Sequence, residues 1–385
     1  MPRPFEGVRV LDLTHVLAGP FSTYQLAVLG ADVIKIEPPH DPDCSRARGP
    51  DPARNAEGRG LNFEVQGGNK RALALDLKTE RGRAILLRLA AGADVLVENY
   101  RAGALAALGL DDAAFDAANP RLIRCSLTGF GQQGPRGGVN AYDNVIQATS
   151  GVMARTGGAG APIKTGASFV DYATGWTAAF AISAALFQRQ RDGRGQRIDC
   201  AMFDVALTTM GPELATEFHG GSDRRREAAI DCYETADGRV MLGAFTPRQS
   251  RRLWEALGRA DFAALDTWHK LWAHDDAIRA ALTTLMRERD AESWVAFFRG
   301  IGLPAERVRS LADAVRDPQL AHRGLLGRAD PSSPVVPVAA FSYAHDGPRL
   351  DRRAPGVGEH SDEILRELGL GSAEIAALRE AGVVA

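Results

Sequence analysis

Asp171 stands at the head of a run of small and apolar residues, Tyr172 to Arg191, that ends with Arg189 and Arg191 and then Gly193. Basic residues in a last turn followed by glycine are how helices stop, so the run predicts a helix. Asp171 then reads as its N-cap or a first-turn residue, whose ionised form the helix N–H groups stabilise. Taken alone, an Asp before a helix does only this capping work, and its context in the chain decides whether it does more. His15 closes the first strand, and a lone histidine there reads as a hydrogen-bonded structural residue.

Other chemistries find less support. The turn after the first strand holds one glycine, Gly19, followed by Pro20, so the Gly-x-Gly-x-x-Gly of a nicotinamide site is missing and Glu37 stands alone as a ribose ligand. The Gly-rich stretch Thr128 to Pro135 is not followed by Gly-Lys-Ser/Thr, which excludes a P-loop. Cys44, Cys125, Cys200 and Cys232 show no close pairing and read as reduced, mostly core thiols. No metal site is indicated.

The elements that would position Asp171 begin with a strand over Val8–Leu13, a helix running to about Leu29 and a strand over Asp32–Glu37, a Rossmann-type opening. Pro38 to Gly60 reads as a long surface loop. Strands are expected over Ala72–Asp76, Asp94–Asn99, Asn119–Leu127 and Ile198–Met202, with a helix from Lys78 through Ala91. A charged linker from Gly220 leads to a second unit, in which Trp254, Trp268, Trp272 and Trp294 read as core anchors. Ala312–Leu320 is expected to return toward the first unit, and helices over Ser361–Ala381 to pack there.

A chain of 385 residues with 45% hydrophobic and 24% charged residues reads as a soluble protein of two domains. Its net charge of −2 and scattered cations argue against a nucleic-acid or membrane partner. No signal segment or membrane span is apparent, so a cytoplasmic location is expected.

The order Tyr142-Asp143-x-Val145-x-Gln147-Ala148-x-Ser150-Gly151, then Asp171, then Ala184-Ala185-Leu186-x-x-Arg189, then Gly193-Arg194-Gly195-Gln196 resembles the family III CoA-transferases, or CaiB/BaiF family. The likeness extends from Gly7 to Asp362. It implies an α/β fold: a Rossmann-like large domain built from both chain ends (1–218 and 326–385), a smaller α+β domain (228–325), and an interlocked homodimer. It implies that Asp171 is the nucleophile. A CoA thioester would be substrate and a carboxylic acid the acceptor, with no permanently bound cofactor. By the same match Leu17 and Ala18 meet the thioester end of CoA, and Leu75, Asp76, Leu77, Lys78, Asn99, Tyr100 and Arg101 line the CoA groove. Asn140, Ala141, Tyr142 and Asp143 touch CoA, with Lys70 and Arg71 as nearby cations.

Two departures affect the phosphates, because Pro38 and Ala107 stand where the formyl-CoA transferases carry arginines; Arg46, Arg48 or Arg101 are the expected substitutes. The rival within the family is α-methylacyl-CoA racemase, whose Gly-His-Asp falls on Ala141-Tyr142-Asp143. A phenol, with an ordinary pKa of about 10, is a poor base at neutral pH, which favours transfer over racemisation. A CoA-binding protein without turnover is the other alternative, and Asp171 argues against it. Leu17 replaces the glutamine of formyl-CoA:oxalate transferases, and their run of four glycines is absent, so poor use of oxalate is expected.

Overall fold

The computed structural model describes residues 2–157, 160–220 and 227–385, so most of the charged run after Gly220 lies outside the described residues. The chain divides into two compact units, residues 1–211 with 323–385, and residues 212–322.

The first unit is built on a six-stranded sheet of order β3-β2-β1-β4-β5-β6. The strands are β1 (Arg9–Leu13), β2 (Asp32–Glu37), β3 (Lys70–Ala74), β4 (Val95–Glu98), β5 (Ile123–Thr128) and β6 (Arg197–Ala201). All neighbours are parallel. Side chains alternate between the faces of a strand, and each face is buried under its own helices. Leu11, Ile34, Leu73 and Leu96 meet residues of the helix Glu80–Ala91 and of the C-terminal helices Ser361–Glu367 and Ser372–Glu380. Val10, Val33, Val95 and Ile123 meet α1 (Ala18–Val28) and the helix Phe169–Asp192. Between β1 and β4 the strand order reverses, and at such a switch point a crevice opens beyond the carboxyl ends.

Two local expectations need correcting. β3 starts at Lys70, two residues earlier than its apolar run suggests, with Lys70 opposite Val33 and Arg71 opposite Ile34. The stretch from Pro38 to Gly60 is not a plain surface loop. It contains a 3-10 turn (Cys44–Ala47) and a helix (Pro52–Ala56), and it buries Asp43, Ser45 and Arg46.

The second unit has an antiparallel sheet of β7 (Cys232–Glu234), β8 (Arg239–Leu242) and β9 (Ala305–Arg307). Helices Pro247–Ala256, Asp275–Met286 and Ala291–Gly300 supply much of its apolar cluster. Trp254 and Trp294 are core anchors there, whereas Trp268 is only partly buried and Trp272 is 39% exposed. Of the four thiols, Cys125 and Cys200 are buried while Cys44 and Cys232 are exposed. No described helix is long and apolar enough to cross a membrane.

Candidate active site

The crevice at the switch point is a cavity of about 290 Å³. Its walls come from the turn after β1 (His15 to Ala18), the turn after β4 (Asn99 to Ala102), the exit of β5 and the stretch from Val139 to Tyr142, with Asp171 and Met202.

Asp171 reaches this cavity because its helix crosses α1 at backbone distance. Gly175, one turn after Asp171, permits the crossing: a Cβ there would fall 2.7 Å from the Phe21 ring and 2.8 Å from the Ala18 carbonyl oxygen. Residues at i and i+4 share a helix face, so the contact that seats Gly175 on the start of α1 also holds Asp171 beside Ala18.

Asp171 is the third residue of its helix, in the first turn as the sequence suggests. Its electrostatics differ from the expectation. The carboxylate that caps the helix is Asp143, whose Oδ2 accepts the N–H groups of Val170 (2.9 Å) and Asp171 (3.2 Å). Asp171 therefore has burial and a neighbouring negative charge around its side chain. Burial, then the charge of Asp143, push its pKa from the usual carboxylate range up to about 7.

Asp143 is itself held. Its Oδ1 accepts from the Gln147 amide, and Gln147 Oε1 accepts the Thr165 N–H at 3.0 Å. Both side chains are buried. The Tyr-Asp-x-Val-x-Gln pattern thus acts as a brace, tying one turn of the helix Asp143–Thr149 to the segment that leads into Asp171. Gln147 was not among the expected site residues. Its signal was the i, i+4 spacing from Asp143, which places both on one helix face.

Of the remaining expected residues, Leu17, Ala18, Asn99, Tyr100, Arg101, Asn140, Ala141 and Tyr142 line the cavity with Asp171. Asn99 joins two walls, since its side chain accepts the His15 N–H at 2.9 Å and donates to the His15 carbonyl at 2.8 Å. Arg101 is exposed, and its Nε donates to Asn140 Oδ1 at 2.9 Å. His15 has its pKa lowered, first by burial and against the pull of Asp43.

The other expected residues are elsewhere. Lys70 is buried, 2.8 Å from Asp12 Oδ2, and donates to Thr23 Oγ1 and the Pro20 carbonyl. Arg71 is buried against Asp32, Glu363 and Glu367. Neither faces the cavity, because each sits inside β3 with its charge matched by carboxylates. Leu75 and Leu77 are core residues. Asp76 accepts the Lys78 N–H beside them, and Lys78 is exposed, away from the cavity lining. Arg46 is buried on Glu37 with its guanidinium 3.7 Å from the centre of the Phe63 ring, which removes it as a phosphate partner; Arg48 is exposed. Among the described residues no group of His, Cys, Asp and Glu could hold a metal ion.

Comparison with known proteins gives this site a context. The family model described as CoA-transferase family III matches residues 5–361. Succinate–glutarate CoA-transferase of Agrobacterium fabrum is 35% identical over 382 residues, covering 95% of this chain and 96% of its own. Acetyl-CoA:oxalate CoA-transferase of Acetobacter aceti is 33% identical, covering 94% of this chain and 95% of its own. The crystal structure of a CAIB/BAIF family protein from Brucella suis matches with a TM-score of 0.82 at 34% identity, covering 96% of this chain and 100% of that one. A match over nearly the whole length, in sequence and in fold, makes this chain a member of the family III CoA-transferases.

Proposed function

We propose that the protein moves CoA from a short acyl-CoA to a free carboxylic acid, with Asp171 as the covalent nucleophile. The observation that carries the reading is the placement of Asp171, a partly buried carboxylate with pKa raised to about 7, in a cavity at the sheet's switch point. A carboxylate that is poorly solvated and more basic than usual is a better nucleophile. Its neighbours Leu17 and Ala18 open a helix, and the first N–H groups of a helix have no intrahelical partner, so they are available to a developing oxyanion.

The reaction then runs in four displacements. The Asp171 carboxylate attacks the thioester carbonyl, the C–S bond breaks, and CoA leaves as thiolate from a mixed anhydride. The thiolate attacks the aspartyl carbonyl of that anhydride, expelling the donor acid and leaving an aspartyl-CoA thioester. The acceptor carboxylate attacks this thioester, expelling thiolate and forming a second anhydride. Thiolate finally attacks the acceptor's acyl carbonyl, giving the new acyl-CoA and restoring Asp171. Arg101, at the cavity rim and exposed, is the cation we assign to CoA.

Relatives named for succinate, glutarate and oxalate support a dicarboxylic acid as donor or acceptor. Leu17 lines the cavity without a side-chain hydrogen bond to offer, which disfavours oxalate, whose second carboxylate adjoins the first. The working form in this reading is an interlocked homodimer. Tyr172, Trp176, Phe180 and Phe187 share one face of the helix Phe169–Asp192 and are exposed in the single chain.

The test is CoA exchange from succinyl-CoA and acetyl-CoA to a panel of mono- and dicarboxylates, wild type against Asp171→Ala. Exchange by wild type alone, with oxalate far below the best acceptor, is the expected result. Equal exchange by Asp171→Ala would overturn the assignment.

A further inference from the structure

The turn from β1 into α1, Thr14 to Leu17, is held more tightly than a four-residue connection needs. Val16 has φ +71°. For a β-branched residue this left-handed conformation costs about 1–3 kcal/mol and persists only where the surroundings over-determine it. They do so here. Thr14 donates its N–H to Asp12 and accepts at its carbonyl from the Lys35 ammonium. His15 uses both backbone groups on the Asn99 side chain. Val16 donates its N–H to Asp43 at 3.1 Å and accepts at its carbonyl from the Gln66 amide. Every backbone polar group of Thr14, His15 and Val16 is taken by a side chain from elsewhere in the chain or from β1.

Asp43 and Gln66 grip the strained residue itself. The Gln66 amide is oriented by a second acceptor, the Asn62 carbonyl at 3.1 Å. Asp43 receives the Lys35 ammonium at 3.2 Å and the Ser45 N–H at 3.0 Å, and its own N–H donates to Glu37, the partner of Arg46. Asp12, Lys35, Glu37, Asp43, Arg46, Gln66 and Lys70 are all buried. Burial alone would raise the Asp43 carboxyl, but Lys35 and the Ser45 and Val16 donors bring it down to about 2. A buried ion cluster contributes little net stability compared with apolar packing of the same volume. Its effect here is geometric, since it fixes the direction in which the chain leaves β1.

We propose that Asp43 and Gln66 are positioning residues of the transfer reaction: they lock Val16 in its left-handed kink, which aims the Leu17 and Ala18 N–H groups at the oxyanion formed when Asp171 attacks. This rests on the reading of Asp171 as nucleophile. Val16, Leu17, Ala18 and Asp171 line one cavity, so a rotation at Val16 displaces the donors relative to the attacking carboxylate. Released from Asp43 or Gln66, a valine relaxes to negative φ, whereas a glycine has no such preference.

Asp43→Ala and Gln66→Leu, each in the wild-type and the Val16→Gly background, separate this role from a structural one. The readout is single-turnover acylation of the protein by an acyl-CoA that acylates wild type, followed by mass, with thermal melting alongside. In the wild-type background each change is expected to slow acylation about 10- to 100-fold, with half-saturation by the acyl-CoA moved less than about threefold. In the Val16→Gly background the same changes are expected to slow it much less, because the kink no longer needs holding. Folded variants that acylate at the wild-type rate would overturn the proposal, as would equal proportional losses in both backgrounds. Should Asp43→Ala not fold, Gln66→Leu decides, since it leaves the ion cluster intact. If wild type forms no adduct, the nucleophile reading fails and takes this proposal with it; adduct in wild type with unaffected variants overturns the positioning role alone.

Discussion

A carboxylate attacks a thioester only as the anion, so in the proposed mechanism the titration of Asp171 becomes the acid limb of the reaction. With the group raised to about 7, first by burial and then by Asp143, acylation is expected to climb from pH 5 to pH 7 and level off above. Asp143→Asn keeps an acceptor for the Val170 and Asp171 N–H groups and removes the charge. The limb in that variant is expected about 1 pH unit lower, with the part due to burial remaining. A pH profile of acylation in both proteins measures this.

The same shift has a consequence for stability. A carboxyl raised in the folded state binds a proton that the unfolded chain has released, so its contribution is present below about pH 4 and is lost as pH rises through about 7. Asp171→Asn escapes that loss. It is expected to be about 2–4 kcal/mol more stable than wild type at pH 8 and nearly equal to it at pH 4, as read by denaturant melts at the two values.

At the scale of elements, the close crossing at Gly175 decides where Asp171, the proposed nucleophile, sits. Alanine inside a helix gains up to about 1 kcal/mol over glycine. A Cβ at Gly175 would also press the Ala18 carbonyl at 2.8 Å and the Phe21 ring at 2.7 Å, and backbone cannot yield as a flexible side-chain end can. The clash is expected to win: Gly175→Ala should lose about 1–3 kcal/mol and a larger fraction of its activity, as the two helices part. Melting temperature and kcat together measure it.

The helix itself was legible in the sequence, because the mostly small and apolar run Tyr172 to Phe187, followed by Arg189, Arg191 and Gly193, admits little else. Asp171 as its first-turn carboxylate was legible too. The ionisation of Asp171 was not, since it depends on which carboxylate caps the helix, and Asp143 lies 28 residues away. Lys70 and Arg71 misled for the same reason. A Lys-Arg pair reads as exposed until Asp32 of the neighbouring β2 and Asp12 of β1, one strand further, are seen to neutralise it. Nothing in a valine's side chain announces a left-handed backbone, so the Val16 turn had no sequence signal at all.

At the scale of the whole molecule, the parallel sheet follows from strands alternating with helices, and its order puts the cavity at the reversal between β1 and β4. The exposed stripe on the helix Phe169–Asp192 bears on assembly. Phe180 is 76% exposed, an unusual state for an aromatic in line with Tyr172 and Trp176. The proposed dimer predicts a solution mass of twice 41.2 kDa by light scattering, and Phe180→Lys is expected to weaken or abolish it.

The central claim, that Asp171 carries the acyl and CoA groups in turn, is tested most directly by intact-protein mass spectrometry. Wild type and Asp171→Ala would be incubated with a panel of short acyl-CoAs, with and without hydroxylamine. An adduct of acyl or CoA mass, present only in wild type and converted by hydroxylamine to the hydroxamate at Asp171, is the predicted result. CoA exchange in solution with no adduct, or an adduct that persists in Asp171→Ala, would contradict it.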